Sequence, residues 1–175
     1  MKKTTSLLLH ACCAPCASAV LEKLASNYEL SLLYFNPNIQ PESEYQKRLE
    51  QFSKLKKLAD FKLIIPEYAP QEWQELTVPL TAESEGGARC QFCFDYRLTA
   101  AAALSEDYDA FATTLSISPY KNLEQINLAG QKAARQYGRV FLEFNFRDLY
   151  PRSVELSSEL DLYRQKYCGC LYAKK

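Results

Sequence analysis

Short apolar runs alternate with amphipathic stretches along almost the whole chain, and that alternation predicts a parallel sheet covered by helices. Residues 6–10 read as the first strand, 30–35 as the second, 61–65 as the third, 110–114 as the fourth and 140–144 as the fifth. Between them, residues 17–26 follow Pro15, a residue suited to a first helical turn. Residues 42–59 place Tyr45, Leu49, Phe52 and Leu55 at helical spacing. A short helix over 71–76 is expected in the otherwise loop-like stretch 67–89. Helices are predicted over 94–104, over 123–137 with Asn122 as N-cap and Gly138 as stop, and over 159–167, running into the last cysteines.

Five strands joined by right-handed crossovers, with a long excursion after the third, imply the order 3-2-1-4-5. In such a sheet the winding reverses between strands 1 and 4, and ligands bind in the crevice beyond their carboxyl ends. Residues 12–16 follow strand 1 and residues 116–121 follow strand 4, so both face that crevice.

Length and composition are those of one soluble globule. The 175 residues are 47% hydrophobic and 24% charged, without repeat or low-complexity run. Net charge is zero, but residues 1–120 hold 11 Lys+Arg against 15 Asp+Glu and residues 121–175 hold 10 against 6. One face could therefore meet a polyanion, although such asymmetry is commonly plain solvated surface. Met1-Lys2-Lys3 followed by Leu7-Leu8-Leu9-His10-Ala11-Cys12 imitates a lipoprotein signal, but its apolar run is too short. No segment approaches a membrane span. A reducing, cytoplasmic setting follows, in which clustered cysteines mean metal or redox chemistry rather than disulfides.

The seven cysteines fall into Cys12-Cys13-x-x-Cys16, Cys90-x-x-Cys93 and Cys168-x-Cys170, with none elsewhere. Thiolates select zinc, copper(I) and iron-sulfur clusters, and seven exceeds the four that a tetrahedral zinc uses. A structural four-cysteine zinc site and a disulfide oxidoreductase would each leave thiols idle. A cluster held by four thiolates, beside a metal ion held by three, uses all of them. Adjacent Cys12 and Cys13, if extended, point to opposite sides and are expected to bridge two centres rather than converge on one ion.

Four stretches carry a specific resemblance. They are Leu8-Leu9-His10-Ala11-Cys12-Cys13-Ala14-Pro15, Arg89-Cys90-Gln91-Phe92-Cys93-Phe94-Asp95-Tyr96-Arg97-Leu98, residues 113–122 (TTLSISPYKN), and Tyr163-Arg164-Gln165-Lys166-Tyr167-Cys168-Gly169-Cys170. In this order, from about residue 5 to 172, the chain resembles the cobalamin-independent epoxyqueuosine reductases, the QueH family. The resemblance implies reduction of epoxyqueuosine to queuosine at the wobble position of tRNAs with GUN anticodons, fed by an external low-potential electron donor. It also implies a fold like the adenine nucleotide alpha-hydrolases (HUP, Rossmann-like). Its cofactors would be a [4Fe-4S] cluster on Cys12, Cys90, Cys93 and Cys168 and a mononuclear iron on Cys13, Cys16 and Cys170. Cys16 departs from members that carry Asp there.

Removing an epoxide oxygen consumes two electrons and two protons, so a proton donor is needed. Tyr120, Asp95, Tyr96 and His10 are the candidates. His10, ending a strand, reads rather as a hydrogen-bonded support, and Asp95 as a partner of Arg97 or Arg89. Arg89, Arg97, Lys121, Asn122, Arg147, Arg152 and Arg164 are candidate tRNA contacts, with Tyr150, Tyr163 and Tyr167 as stacking platforms; each could equally serve a salt bridge or the core. Two alternatives remain open. An iron-sulfur tRNA thiolation enzyme shares fold and substrate class, but places a glycine-rich phosphate loop where this chain has Cys-Cys-Ala-Pro-Cys. A zinc-stabilised RNA-binding or adaptor domain would carry no redox chemistry.

Overall fold

The computed structural model describes residues 5–173, which leaves the Met1-Lys2-Lys3 start outside the described residues. Its centre is a parallel four-stranded sheet in the order β3-β2-β1-β4. The strands are β1 (Thr5–His10), β2 (Tyr28–Leu33), β3 (Lys62–Ile64) and β4 (Ala110–Thr113). β1 lies in the middle, with Leu7 opposite both Leu30 and Ala110. Because both faces are covered, the strands are apolar on both sides. Leu7, Leu9, Ala110 and Ala112 join one buried cluster, and Leu8 and Phe111 the other. The period of two thus sorts neighbours into opposite layers.

One layer holds α1 (Ala14–Leu24) packed on α6 (Tyr150–Glu159), and the other holds α4 (Ala88–Ala103) packed on α5 (Leu123–Tyr137). α2 (Glu42–Glu50) continues as a 3-10 segment over Gln51–Lys57, and α3 (Pro70–Thr77) lies in the excursion after β3. α5 has its expected ends: the Asn122 side chain accepts from the Gln125 N–H at 3.2 Å, and Gly138 closes the helix at φ 63°.

Three elements differ from expectation. The fifth strand is reduced to one parallel bridge between Phe111 and Phe141. Phe111 N–H donates to Val140 O and Leu142 N–H to Phe111 O, both at 2.9 Å, so the segment takes the predicted place beside β4. Its ladder ends there because Phe144 N–H turns back onto Leu142 O at 3.1 Å and the Phe144 ring leaves to stack on Phe146. α4 begins at Ala88, not near residue 94, so Cys90 and Cys93 lie on a helix. The last helix is α6, which begins about ten residues earlier than expected and stops before the cysteines. Pro151 starts it, Leu156 faces inward, and Asp161 ends it in a left-handed turn at φ 49°. The stretch from Leu160 to Cys170 is therefore irregular chain.

Candidate metal centre

The carboxyl ends of β1 and β4 are tied by His10, which is fully buried and pairs in register with Thr113. Its Nε2 lies 3.1 Å from Phe35 O, an acceptor, so Nε2 carries the proton. Nδ1 then accepts from Thr113 Oγ1 at 3.0 Å. Burial, then the Arg97 charge, depresses the His10 pKa to about 3. His10 is a neutral cross-strand tie with both nitrogens engaged.

Immediately after it the chain bends at Cys12 and enters α1 at Ala14, with Cys13 as the residue before the helix. The sulfurs of Cys12, Cys13 and Cys16 all lie within 4.8 Å of one another, and Cys12 Sγ is 3.8 Å from Cys13 Sγ. The expectation that the adjacent pair diverges is thus overturned. Alternation applies to an extended strand, and the bend at Cys12 has already left it. Two sulfurs bound at about 2.3 Å to one tetrahedral ion lie about 3.8 Å apart. The trio therefore fits a single ion, without any movement of Cys12 or Cys13.

The other four thiols arrive from two further segments. Cys90 and Cys93 are one turn apart on α4, where the Gly86 N–H points at Cys90 Sγ at 3.2 Å. Arg97, one turn farther and 3% exposed, donates to Cys93 Sγ at 3.9 Å and to Asn36 Oδ1 at 2.5 Å. Cys168 and Cys170 sit on the irregular chain, whose position is set from outside it. Buried Arg48 donates to Cys168 O at 3.1 Å and Tyr167 O at 3.2 Å, while Glu44 holds its Nε. Gln40 N–H donates to Gly169 O at 2.9 Å, and Gly169 takes φ 105° against Ile39.

Six of the seven cysteines, all but Cys13, line one cavity of about 460 Å³. Trp73 and Arg89 also line it, with Tyr120, Lys121, Tyr150, Arg164, Lys166 and Tyr167 among its remaining residues. Hydrogen bonds from Cys13 and Cys16 hold the Cys12 thiol well below its ordinary pKa, and one from Cys170 brings Cys168 to about 6. Cys13 is pushed up to about 12 by the same bond to Cys12. Burial alone would lower the Lys121 pKa; thiolates at Cys12, Cys16 and Cys168 outweigh it and raise it. Cys12 and Cys168 are thus the thiols held low, chiefly by hydrogen bonds from neighbouring thiols and further by the Lys121 charge. Cys16 and Cys170 are instead pushed up by bonds to those same neighbours, and Cys93 by burial. The four thiols from α4 and the C-terminal chain form no group of three within one ion's reach among the described residues. Cys12 packs on the same apolar cluster as Cys90, whereas Cys16 packs on the opposite one.

A sequence profile described as "Epoxyqueuosine reductase QueH" matches residues 7–175. The chain belongs to the epoxyqueuosine reductase QueH family. A relative of that name from Streptococcus pyogenes serotype M1 is 40% identical over 182 residues, covering 97% of this chain and 71% of the relative. The one from Thermotoga maritima is 36% identical over 175 residues, covering 96% of this chain and 90% of its own length. A third, from Staphylococcus epidermidis, is 39% identical over 179 residues, covering 95% and 75%.

Against this QueH frame the other sequence-derived residues divide. Tyr120 stands at the cavity mouth, 86% exposed and edge-on to Tyr150, and its hydroxyl makes no hydrogen bond among the described residues. Asp95 instead takes Lys132 of α5 at 2.8 Å and Gln91 at 2.9 Å, not Arg97 or Arg89, and is not among the residues lining the cavity. Tyr96 does not line it either; its hydroxyl donates to Glu72 at 2.7 Å. Arg89 is spent on the carbonyls of Leu80, Thr81 and Glu83, which fold the excursion onto α4. Arg97 is buried beneath the thiols. Arg152 is surrounded by Glu22, Glu155 and Glu159 and joins α6 to α1. Lys121, Asn122 and Arg164 line the mouth, and Arg147 donates to Lys121 O at 2.8 Å. Tyr163 donates to Glu44, and Tyr167 to Gln40 O at 3.0 Å.

Sequence reasoning missed Arg48, Trp73 and Gln165. Arg48 lies on an amphipathic helix where a charge reads as solvated, and nothing local marks it as buried. Trp73, the chain's one tryptophan, is fully buried beside Cys93 and Cys170. Among the described residues, no helix is long and apolar enough to cross a membrane.

Proposed function

We propose that this chain is an epoxyqueuosine reductase, which removes the epoxide oxygen of epoxyqueuosine in tRNA. The observation that carries the proposal is the convergence of thiols from three distant segments on one cavity at the sheet's switch point. In the overall change both carbon-oxygen bonds of the epoxide break and a carbon-carbon double bond forms. Two electrons and two protons enter, and the oxygen leaves as water. When bound, a [4Fe-4S] cluster and a single iron would supply electrons one at a time and a Lewis-acidic hold on the departing oxygen. Cys90, Cys93, Cys168 and Cys12 are assigned to the cluster, supported by Cys12 and Cys90 both packing on one apolar cluster. Cys13, Cys16 and Cys170 are assigned to the iron; Cys12, within one ion's reach of Cys13 and Cys16 yet packed on the same apolar cluster as Cys90, is read as the thiol at the boundary of the two centres.

The chain's own residues do the positioning. A cavity of about 460 Å³ is of a size to admit a small molecule or one nucleoside and not a helix, so the wobble nucleotide enters splayed out of its loop. Lys121, Arg164 and Lys166 line the mouth, where the backbone of such a loop would pass. Tyr120, with an unengaged hydroxyl at that mouth, is assigned as proton donor. Arg97 and Lys121 hold positive charge against the thiolates.

Anaerobically reconstituted protein with a low-potential reductant should convert epoxyqueuosine-tRNA to queuosine-tRNA, read by nucleoside mass spectrometry. A colourless protein with about one zinc, no acid-labile sulfide and no turnover would instead establish a zinc-stabilised RNA-binding domain. Within the reductase, Cys90→Ala should bleach the cluster absorption and Cys16→Ala should spare it while abolishing turnover.

A further inference from the structure

The side chain of Gln165 touches Cys13, 152 residues away in sequence: its Nε2 donates to Cys13 Sγ at 2.9 Å. The other end of the same amide is idle. Gln165 Oε1 is buried and has no hydrogen-bond partner among the described residues, and Gln165 lines the cavity. A buried amide oxygen without a partner is uncommon, because burial removes the water that would otherwise satisfy it. Gln165 lies on irregular chain, yet that chain is clamped on both sides. Tyr163 N–H donates to Gln51 Oε1 at 3.1 Å and Tyr163 Oη to Glu44. Tyr167 Oη donates to Gln40 O, and Arg48 donates to Tyr167 O and Cys168 O. Gln165 is thus presented to Cys13 by a scaffold fixed two residues on either side of it.

We infer that Gln165 is a positioning residue that links the Cys13 metal ligand to the substrate: its amide N–H is held on the sulfur, and its amide oxygen accepts a hydrogen bond from an O–H or N–H group of the substrate in the cavity. This inference rests on the reading of Cys13 as a metal ligand. A metal-bound thiolate has no proton and can only accept, so it dictates which end of the amide faces it. The oxygen is thereby turned to the opposite side. An N–H bond to a ligand sulfur withdraws charge from it and tunes the metal, as hydrogen bonds to ligand atoms generally do.

The test uses cobalt(II) as the probe ion, read by the sulfur-to-cobalt charge-transfer absorption, together with the kinetics of the iron-loaded enzyme on epoxyqueuosine-tRNA. Gln165→Met, of similar length and without a hydrogen-bonding amide, should shift the charge-transfer band to lower energy. It should also raise KM about tenfold with kcat within about twofold, the loss of one ground-state hydrogen bond. Gln165→His restores a ring N–H at the same reach without restoring the carbonyl oxygen, so it should return the band and leave KM high. Cys13→Ala should remove or halve the band. If it keeps the full band, Cys13 is not a ligand and the inference falls with that reading. If Cys13→Ala loses the band while Gln165→Met leaves both band and KM at their original values, the ligand reading stands and the inference is overturned. A band shift with unchanged KM likewise overturns the link to substrate.

Discussion

Replacing Gly169 by alanine separates a backbone requirement from ordinary flexibility. Gly169 stands between Cys168 and Cys170 at φ 105°, a conformation that residues with a Cβ rarely adopt. A Cβ there would lie 2.7 Å from Ile39 Cγ1 and 3.1 Å from both Ile39 Cα and Arg48 Nη1. The strained backbone costs about 1–3 kcal/mol, and overpacking against Ile39 costs about another 1–3 kcal/mol. At roughly 2–4 °C per kcal/mol for a chain of this size, Tm should fall by on the order of 10 °C. The measurement belongs on metal-free protein, since bound metal adds its own stabilisation. Gly138→Ala is the control: its φ is 63°, and nothing lies within 4 Å of where its Cβ would stand. It should cost only about 1–2 kcal/mol. Iron per chain should drop in Gly169→Ala, because Cys168, Cys170 and the Arg48 anchor shift together, and stay unchanged in Gly138→Ala. Equal Tm losses in the two variants, or a full complement of iron in Gly169→Ala, would refute the argument.

Further outcomes are expected elsewhere. Arg97→Met removes a buried guanidinium that has an unpartnered Nε and no carboxylate among the described residues, but leaves the buried Asn36 Oδ1 without that donor. The two effects oppose each other, so the Tm of metal-free protein should change little while iron retention falls once thiolates lack that cation; normal iron content would contradict this. Asn122→Ala removes the cap of α5 and should cost about 1 kcal/mol in thermal or urea unfolding. His10→Leu leaves the Phe35 carbonyl without its donor and should cost about 1–3 kcal/mol; a neutral result would show that water takes its place. Arg152→Ala leaves Glu22, Glu155 and Glu159 facing one another, and the loss in Tm should be larger at low salt than at high salt.

Much of the fold is legible in the chain because its signals are local. β1, β2 and β4 are short apolar runs, and α5 carries both an N-cap and a glycine stop, each acting within four residues of itself. The misjudged elements are those decided by partners distant in sequence. Residues 140–144 have a strand's composition, but only 140–142 pair, and beyond them the Phe144 N–H turns back onto Leu142 O while its ring stacks on Phe146. The segment after residue 160 has helical-looking composition, but Arg48 and Gly169 hold it as irregular chain. The cationic candidates were equivocal for the same reason. An arginine in sequence does not say whether it will meet three carboxylates, as Arg152 does, or lie under thiols, as Arg97 does.

Residue chemistry and spacing alone determined that thiols come in three groups, that the first of them borders a sheet's ligand crevice, and that the chain resembles one reductase family. These follow from side-chain identity and from periodicities spanning a few residues. Only the tertiary structure decided that Cys12 and Cys13 face the same way, since one bend after β1 reverses a side chain that alternation would send elsewhere. It alone decided that Arg48 positions the last cysteines and that Gln165 reaches Cys13. Such contacts join segments more than 100 residues apart, and their geometry exists only once the layers on both faces of the sheet have packed.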